Sequence, residues 1–165
     1  MRRNPTRLLI VLALLPALGS ALENWLKSGA VRVQGQFFCN DTYYSGKTVE
    51  LWKRNYFGPD QRIITGATNE YGEFELEAAA SELFFDPKIY LYLGNYCNPA
   101  NYYFLECGKT IKIYVPPPLV TDGHFPKQTF HLGNVDISTT ETELVGLDTV
   151  MYSLIAHKQC REKTK

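Results

Sequence analysis

The sequence predicts an all-β fold, an antiparallel β-sandwich of about seven strands with a C-terminal amphipathic helix. Three observations lead there. Short runs of alternating apolar and polar residues recur along the chain, the period of a strand with one buried face. Turn formers separate the runs, as in Gly58-Pro59-Asp60 and Asn69-Glu70-Tyr71-Gly72. Helical periodicity is confined to the tail, so there is no alternation of strand and helix to build a parallel sheet.

Val31–Cys39 is the first strand, with Val31, Val33, Phe37 and Cys39 sharing a face with Gly35. After a turn at Tyr43–Gly46, Thr48–Arg54 turns Val49 and Leu51 inward and Glu50, Trp52 and Arg54 outward. Asn55–Gln61 is a loop and Arg62–Ala67 a short strand. In Glu73–Glu77 the inward residues are Phe74 and Leu76, and Glu73, Glu75 and Glu77 form a solvated face. Ala78–Leu83 reads as a brief helical turn before Asp86-Pro87. Lys88–Leu93 alternates Ile89, Leu91 and Leu93 with Tyr90 and Tyr92, and Thr110–Val115 alternates Ile111, Ile113 and Val115 with Lys112 and Tyr114. Pro116-Pro117-Pro118 then stops the strand as an extended segment.

In Gln128–Ile137 the apolar parity changes between Phe130/Leu132 and Val135/Ile137, which predicts a β-bulge at Gly133-Asn134. In the tail, Leu144, Leu147, Val150, Met151, Leu154 and Ile155 recur at helical spacing, and Thr140 with Glu143 fits a capping box. Glu141–Lys158 is therefore read as an amphipathic helix packed on the sandwich.

Residues 1–21 have the form of an export signal. Arg2, Arg3 and Arg7 precede the apolar run Leu8–Leu18, which is short for a membrane span, and cleavage falls after Gly19 or Ala21. The remainder divides into a sandwich over 22–137 and a tail over 138–165. The full chain has 17 basic and 17 acidic residues, so losing the three arginines leaves it weakly acidic. That balance argues against a general nucleic-acid binder, and no other stretch is long enough to be transmembrane. Asn40-Asp41-Thr42 is an N-glycosylation sequon at a strand end. Cys39, Cys97, Cys107 and Cys160 allow three connectivities. The economical one joins the nearest pair, Cys97–Cys107, which leaves Cys39–Cys160.

Several segments, in order, resemble the transthyretin-like family of nematode secreted proteins: Gly35–Cys39, Val49–Leu51, Thr68–Leu76, Asp86–Tyr90, Cys97, Cys107, Ile111–Pro116 and Leu132–Ile137. The resemblance covers roughly residues 31–137, with Cys160 matching a terminal cysteine of the family. It implies a prealbumin-like Greek-key sandwich, secretion and two disulfides. It also implies extracellular binding roles, with lipids, small hydrophobic ligands or cell-surface proteins as partners. The chain departs from the family in a longer, more aromatic segment between Cys97 and Cys107, and in its longer tail.

A relative of transthyretin hydrolyses 5-hydroxyisourate with histidines, an arginine and a Tyr-Arg-Gly-Ser ending, and this chain ends Cys160-Arg161-Glu162-Lys163-Thr164-Lys165 instead. His124, His131 and His157 fall in a loop, on an outward strand position and in the tail, with no nucleophile motif beside them. No catalytic residue, metal site or cofactor is therefore assigned, and the cysteines lack the Cys-x-x-Cys spacing of a zinc site. Two readings remain. One is a binding protein that uses Tyr102, Tyr103 and Phe104 between the cysteines, extended by the outward Tyr90, Tyr92 and Tyr114. The other is a structural matrix protein with no small ligand. In either, the same tyrosines also have a plain role in packing the sheet.

Overall fold

The fold is that of a computed structural model, which describes residues 25–102, 105–138 and 159–162. The export signal read over 1–21 and the helix read over Glu141–Lys158 lie outside those residues. Ten strands are described: β1 (Leu26–Cys39), β2 (Thr42–Tyr43), β3 (Thr48–Arg54), β4 (Gln61–Ala67), β5 (Glu73–Leu83), β6 (Lys88–Tyr102), β7 (Leu105–Tyr114), β8 (Thr121–Asp122), β9 (Thr129–Asp136) and β10 (Gln159–Glu162). They form two five-stranded sheets. In the first, β1 is the hub: β5 and β2 pair with one edge, and β8 and β9 with the other. The second runs β10-β7-β6-β3-β4.

The alternation read from the sequence places the core. Val31, Val33, Phe37, Phe74 and Leu76 of the first sheet meet Val49, Leu51, Ile89, Leu91, Leu93, Ile111 and Ile113 of the second. Phe37 and Phe74 stack with centroids 5.0 Å apart. The parity change in β9 marks a real bulge. Gln34 pairs with His131 and Gln36 with Asn134, so β9 carries one extra residue, and Gly133 takes a positive φ there. The β1–β9 pair is parallel, whereas the sequence reading had every strand antiparallel.

Other expectations change. Ala78–Leu83 is not a helical turn; β5 runs on to Leu83. The cause is β1, which begins at Leu26 rather than Val31 and supplies ladder partners from Ala78↔Val31 to Leu83↔Leu26. Tertiary pairing overrides the helical preference of alanine. The proline run is not extended throughout, because Pro117–Leu119 closes a 3-10 turn before β8. The segment between Cys97 and Cys107 is largely ladder rather than open loop, with Ala100 opposite Cys107 and Tyr102 opposite Leu105.

On the outer face of the second sheet, Glu50 is outward yet buried. It accepts hydrogen bonds from Trp52 Nε1 at 2.8 Å and Arg62 at 3.1 Å. Glu73, Glu75 and Glu77 are exposed on the first sheet, and Arg32 reaches Glu77 at 2.7 Å and Glu75 at 3.7 Å. Glu77 thereby raises the Arg32 pKa.

Candidate recognition surfaces

The two ends of the sandwich differ in chemistry. One end carries a disulfide between Cys39, at the close of β1, and Cys97, with the Cα atoms 5.4 Å apart. This pairing corrects Cys97–Cys107, and with it Cys39–Cys160. The physical reason is a bulge in β6. Asn95 pairs with Lys109 and Ala100 with Cys107, so β6 accommodates three more residues than β7 over that stretch. Cys97 sits in the extra length, out of register with Cys107, and reaches the first sheet instead. Asn95 fixes the bulge by donating to the Ile137 carbonyl (2.8 Å) and accepting from the Cys97 amide (2.9 Å).

Tyr44 braces the bulge from the other side. Its hydroxyl donates to the Gly94 carbonyl (2.8 Å) and accepts from the Tyr96 amide (2.9 Å). On β7, a Cβ on Gly108 would lie 2.5 Å from the Asn95 carbonyl oxygen, so only glycine lets the strands pass this closely.

The backbone register of β10 on β7 sets Cys160 directly opposite Cys107. Peptide mapping without reduction is expected to recover Cys39 with Cys97 and Cys107 with Cys160. A peptide joining Cys97 to Cys107 would contradict this arrangement. Asn40 lies beside the disulfide in an exposed turn, with a left-handed φ of 50°.

The aromatic surface read from the sequence is split by the structure. Tyr90 is 1% exposed and is removed from any binding surface. Its ring lies 5.1 Å from that of Tyr114, and its hydroxyl donates to Asp60 Oδ2 at 2.7 Å. Tyr92 and Tyr114 are half-buried, and Tyr92 packs on Trp52. For these three the packing role is the one observed. Tyr102 ends β6, while Tyr103 and Phe104 lie outside the described residues.

Burial, and then the Asp60 carboxylate, push the Tyr90 phenol well above the ordinary tyrosine range. A raised pKa stabilises the fold below the unfolded value of about 10, and the stabilisation is lost as pH rises beyond it. Tyr90→Phe is expected to cost roughly 1–2 kcal/mol at neutral pH. Denaturant titrations should show the gap from wild type closing above about pH 10. A gap independent of pH would contradict this account.

The opposite end of the sandwich was missed by sequence reasoning. Among the described residues, eight of the eleven exposed large hydrophobic residues gather there: Trp25 and Leu26 at the start of β1, Leu83, Phe84 and Phe85 at and after the end of β5, Tyr56 and Phe57 after β3, and Phe125 after β8. Ring contacts join the segments, Trp25 with Phe84 at 5.5 Å and Tyr56 with Phe85 at 4.4 Å. Phe84 holds φ at 70°, a conformation that bulky side chains rarely adopt, while its amide donates to the Trp25 carbonyl at 2.7 Å. Phe57 is 87% and Phe125 80% exposed. No signal in any single segment marks this cluster, because only the fold brings the segments together.

The outer face of the first sheet carries an open polar cleft of about 600 Å³ lined by Gln34, Gln36, Glu73, Glu75, His131 and Asn134. Its polar groups largely serve one another: Gln34 Nε2 lies 2.7 Å from His131 Nδ1, Gln36 donates to the Tyr71 carbonyl, and Asn69 donates to Glu73. His124 lies on the β8–β9 loop, away from His131, and His157 is outside the described residues. Among the described residues, no group of three or more histidine, cysteine or acidic side chains is placed to hold a metal ion. No helix among them is long and apolar enough to cross a membrane.

Comparison with known proteins bears on this sandwich as a whole. Transthyretin-like protein 46 of Caenorhabditis elegans is 26% identical over 136 residues, which is 81% of this chain and 71% of that protein. Among solved structures, a 9R-lipoxygenase from Cyanothece is similar at a TM-score of 0.34 and 16% identity, over 66% of this chain and 16% of its own; a likeness at that level carries no argument. The model of the TTR-52 transthyretin-like family matches residues 34–116, from the middle of β1 to just beyond β7, and so takes in β2 to β7, the β6 bulge and both ends of the Cys39–Cys97 disulfide. With two packed sheets and the family's motifs in order along them, this chain belongs to the transthyretin-like family.

Proposed function

We propose that this protein is an exported, non-catalytic recognition protein that binds a lipid, a small hydrophobic ligand or a cell-surface partner through its aromatic pole. The observation that carries the reading is that, among the described residues, eight of the eleven exposed large hydrophobic residues lie at one end of the sandwich. Exposed apolar residues scattered singly are ordinary, but a contiguous patch marks an interaction site. A disulfide between the two sheets suits an oxidising compartment, and so does the export signal read over residues 1–21. Asn40 is open to glycan attachment at the other pole, where a sugar chain would leave the aromatic end uncovered.

The test compares three forms of the secreted, oxidised protein for capture by cell surfaces: wild type, Phe57→Ser with Phe125→Ser, and Tyr102→Ala with Tyr103→Ala. Both phenylalanines are loop residues, so the serine pair is expected to melt like wild type and to lose capture. Retained capture by the serine pair would overturn the reading. Loss confined to the alanine pair would return recognition to the segment between Cys97 and Cys107.

A further inference from the structure

We infer that the outer edge of β5 takes up an extended, basic segment of another protein as an added antiparallel strand. This site is separate from the aromatic pole and stands or falls independently of it. β5 pairs with β1 on one flank, and among the described residues no strand pairs with the other. An unpaired edge is a template for a further strand.

The register fixes which backbone groups face that edge. In an antiparallel ladder, residues alternate between bonding the neighbouring strand and pointing away from it. The Phe37 amide donates to the Gly72 carbonyl at 2.9 Å, which sets the phase. Phe74, Leu76 and Ala78 therefore bond β1, and the odd-numbered residues from Glu73 to Leu83 point outward. Side chains and a turn close both ends of that outward row. Asn69 takes both Glu73 groups: its amide donates to the Glu73 carbonyl and its Oδ1 accepts from the Glu73 amide, each at 2.9 Å. At the far end, Lys53 donates to the Ser81 carbonyl at 2.9 Å and Glu82 Oε1 accepts from the Leu83 amide at 3.3 Å. Between these caps, the amides and carbonyls of Glu75, Glu77 and Ala79 meet no hydrogen-bonding group among the described residues. The edge is open over Glu75–Ala79.

The side chains around the window define its occupant. Glu75 and Glu77 are exposed on the outer face with Glu73 beside them, and Arg32 offsets only one of the three charges. On the inner face Leu76 and Ala78 are buried. A segment that alternates lysine or arginine with apolar residues matches both faces, because opposite charges directly across a ladder attract. A second copy of this chain is a poor occupant. Paired across the whole window, it would set Glu77 against Glu77, a like-charge contact that destabilises the pair.

The probe is a synthetic peptide of alternating lysine and valine, added to the full, oxidised, isotope-labelled protein, with amide hydrogen exchange followed by NMR. In the free protein the amides of Phe74, Leu76 and Ala78 are expected to be protected and those of Glu75, Glu77 and Ala79 to exchange fast. The peptide is expected to slow those three, and a peptide alternating glutamate with valine to leave them fast. Ala79→Pro removes an outward amide that β1 does not use and keeps the charge. That variant is expected to melt like wild type and to bind the lysine peptide about tenfold more weakly.

Binding without protection of the three amides would mean attraction by charge alone and would overturn the inference, as would undiminished binding by the proline variant. Slow exchange of those amides in the free protein, whether constant or rising with protein concentration, would overturn it too, since the edge would already be occupied. If the proline variant does not fold, the exchange pattern of the wild type decides.

Discussion

Replacing Cys39 and Cys97 together by alanine is expected to lower stability by about 4 kcal/mol, and the melting temperature by roughly 10–20 °C. The bridge spans 58 residues, a loop long enough for the chain-entropy effect to be large. It also joins the last residue of β1 to the β6 bulge, so its loss frees both sheets at one pole. Cys39 and Cys97 are partly buried against the core, and alanine removes the sulfurs without adding a polar group there. Thermal melts of the two oxidised proteins, monitored by circular dichroism, make the comparison. A fall of only a few degrees would mean that Asn95 and Tyr44 hold the bulge without covalent help.

Gly72→Ala is expected to cost about 2–3 kcal/mol. Gly72 has a φ of 73° in the turn before β5, and its carbonyl accepts the Phe37 amide at 2.9 Å. A methyl group would collide with the Phe37 carbonyl oxygen and approach the Tyr44 amide nitrogen at 3.1 Å. Both neighbours are backbone, one within β1 and the other just after β2, so neither can move aside cheaply. Gly58→Ala is the control: its φ of 91° imposes a conformational cost, but nothing lies within 4 Å of the added carbon. That variant is expected to lose only about 1 kcal/mol in urea titrations. Equal losses at the two glycines would show that conformation alone decides.

What could be read in advance was whatever a strand states about itself. The alternation of Val49 and Leu51, of Phe74 and Leu76, and of Ile89, Leu91 and Leu93 fixed which side chains fill the core. The parity slip around Gly133 located a bulge to the residue, because an extra residue shifts every apolar position after it. The bulge in β6 sent no such signal. Around Asn95–Pro99 the chain has no apolar alternation to break, so Cys97 read as a neighbour of Cys107 when the fold aims it at Cys39.

Ala78–Leu83 misled for a related reason. Alanine says little about its partner, and the partner, Leu26–Val31, lies more than forty residues away in sequence. The aromatic pole was invisible on the same principle. Trp25, Phe57, Phe84 and Phe125 each look like an isolated loop residue, and their common location is a property of topology alone.

The hub position of β1 has a consequence for how the chain reaches its fold. This strand is the first of the sandwich to be synthesised, yet its second flank waits for β9. Its Gln34 meets a partner, His131, 97 residues downstream. Until β9 emerges, one flank of β1 has no ladder beyond the short β8, and Val31, Val33 and Phe37 face a half-built interior. Contacts of such long sequence separation slow folding, and the waiting flank is open to pairing with other chains. The closure of β9 onto β1 is then the step that commits the molecule. A chain cut short before Thr129 would keep most of its strands and still present an unpartnered template for aggregation.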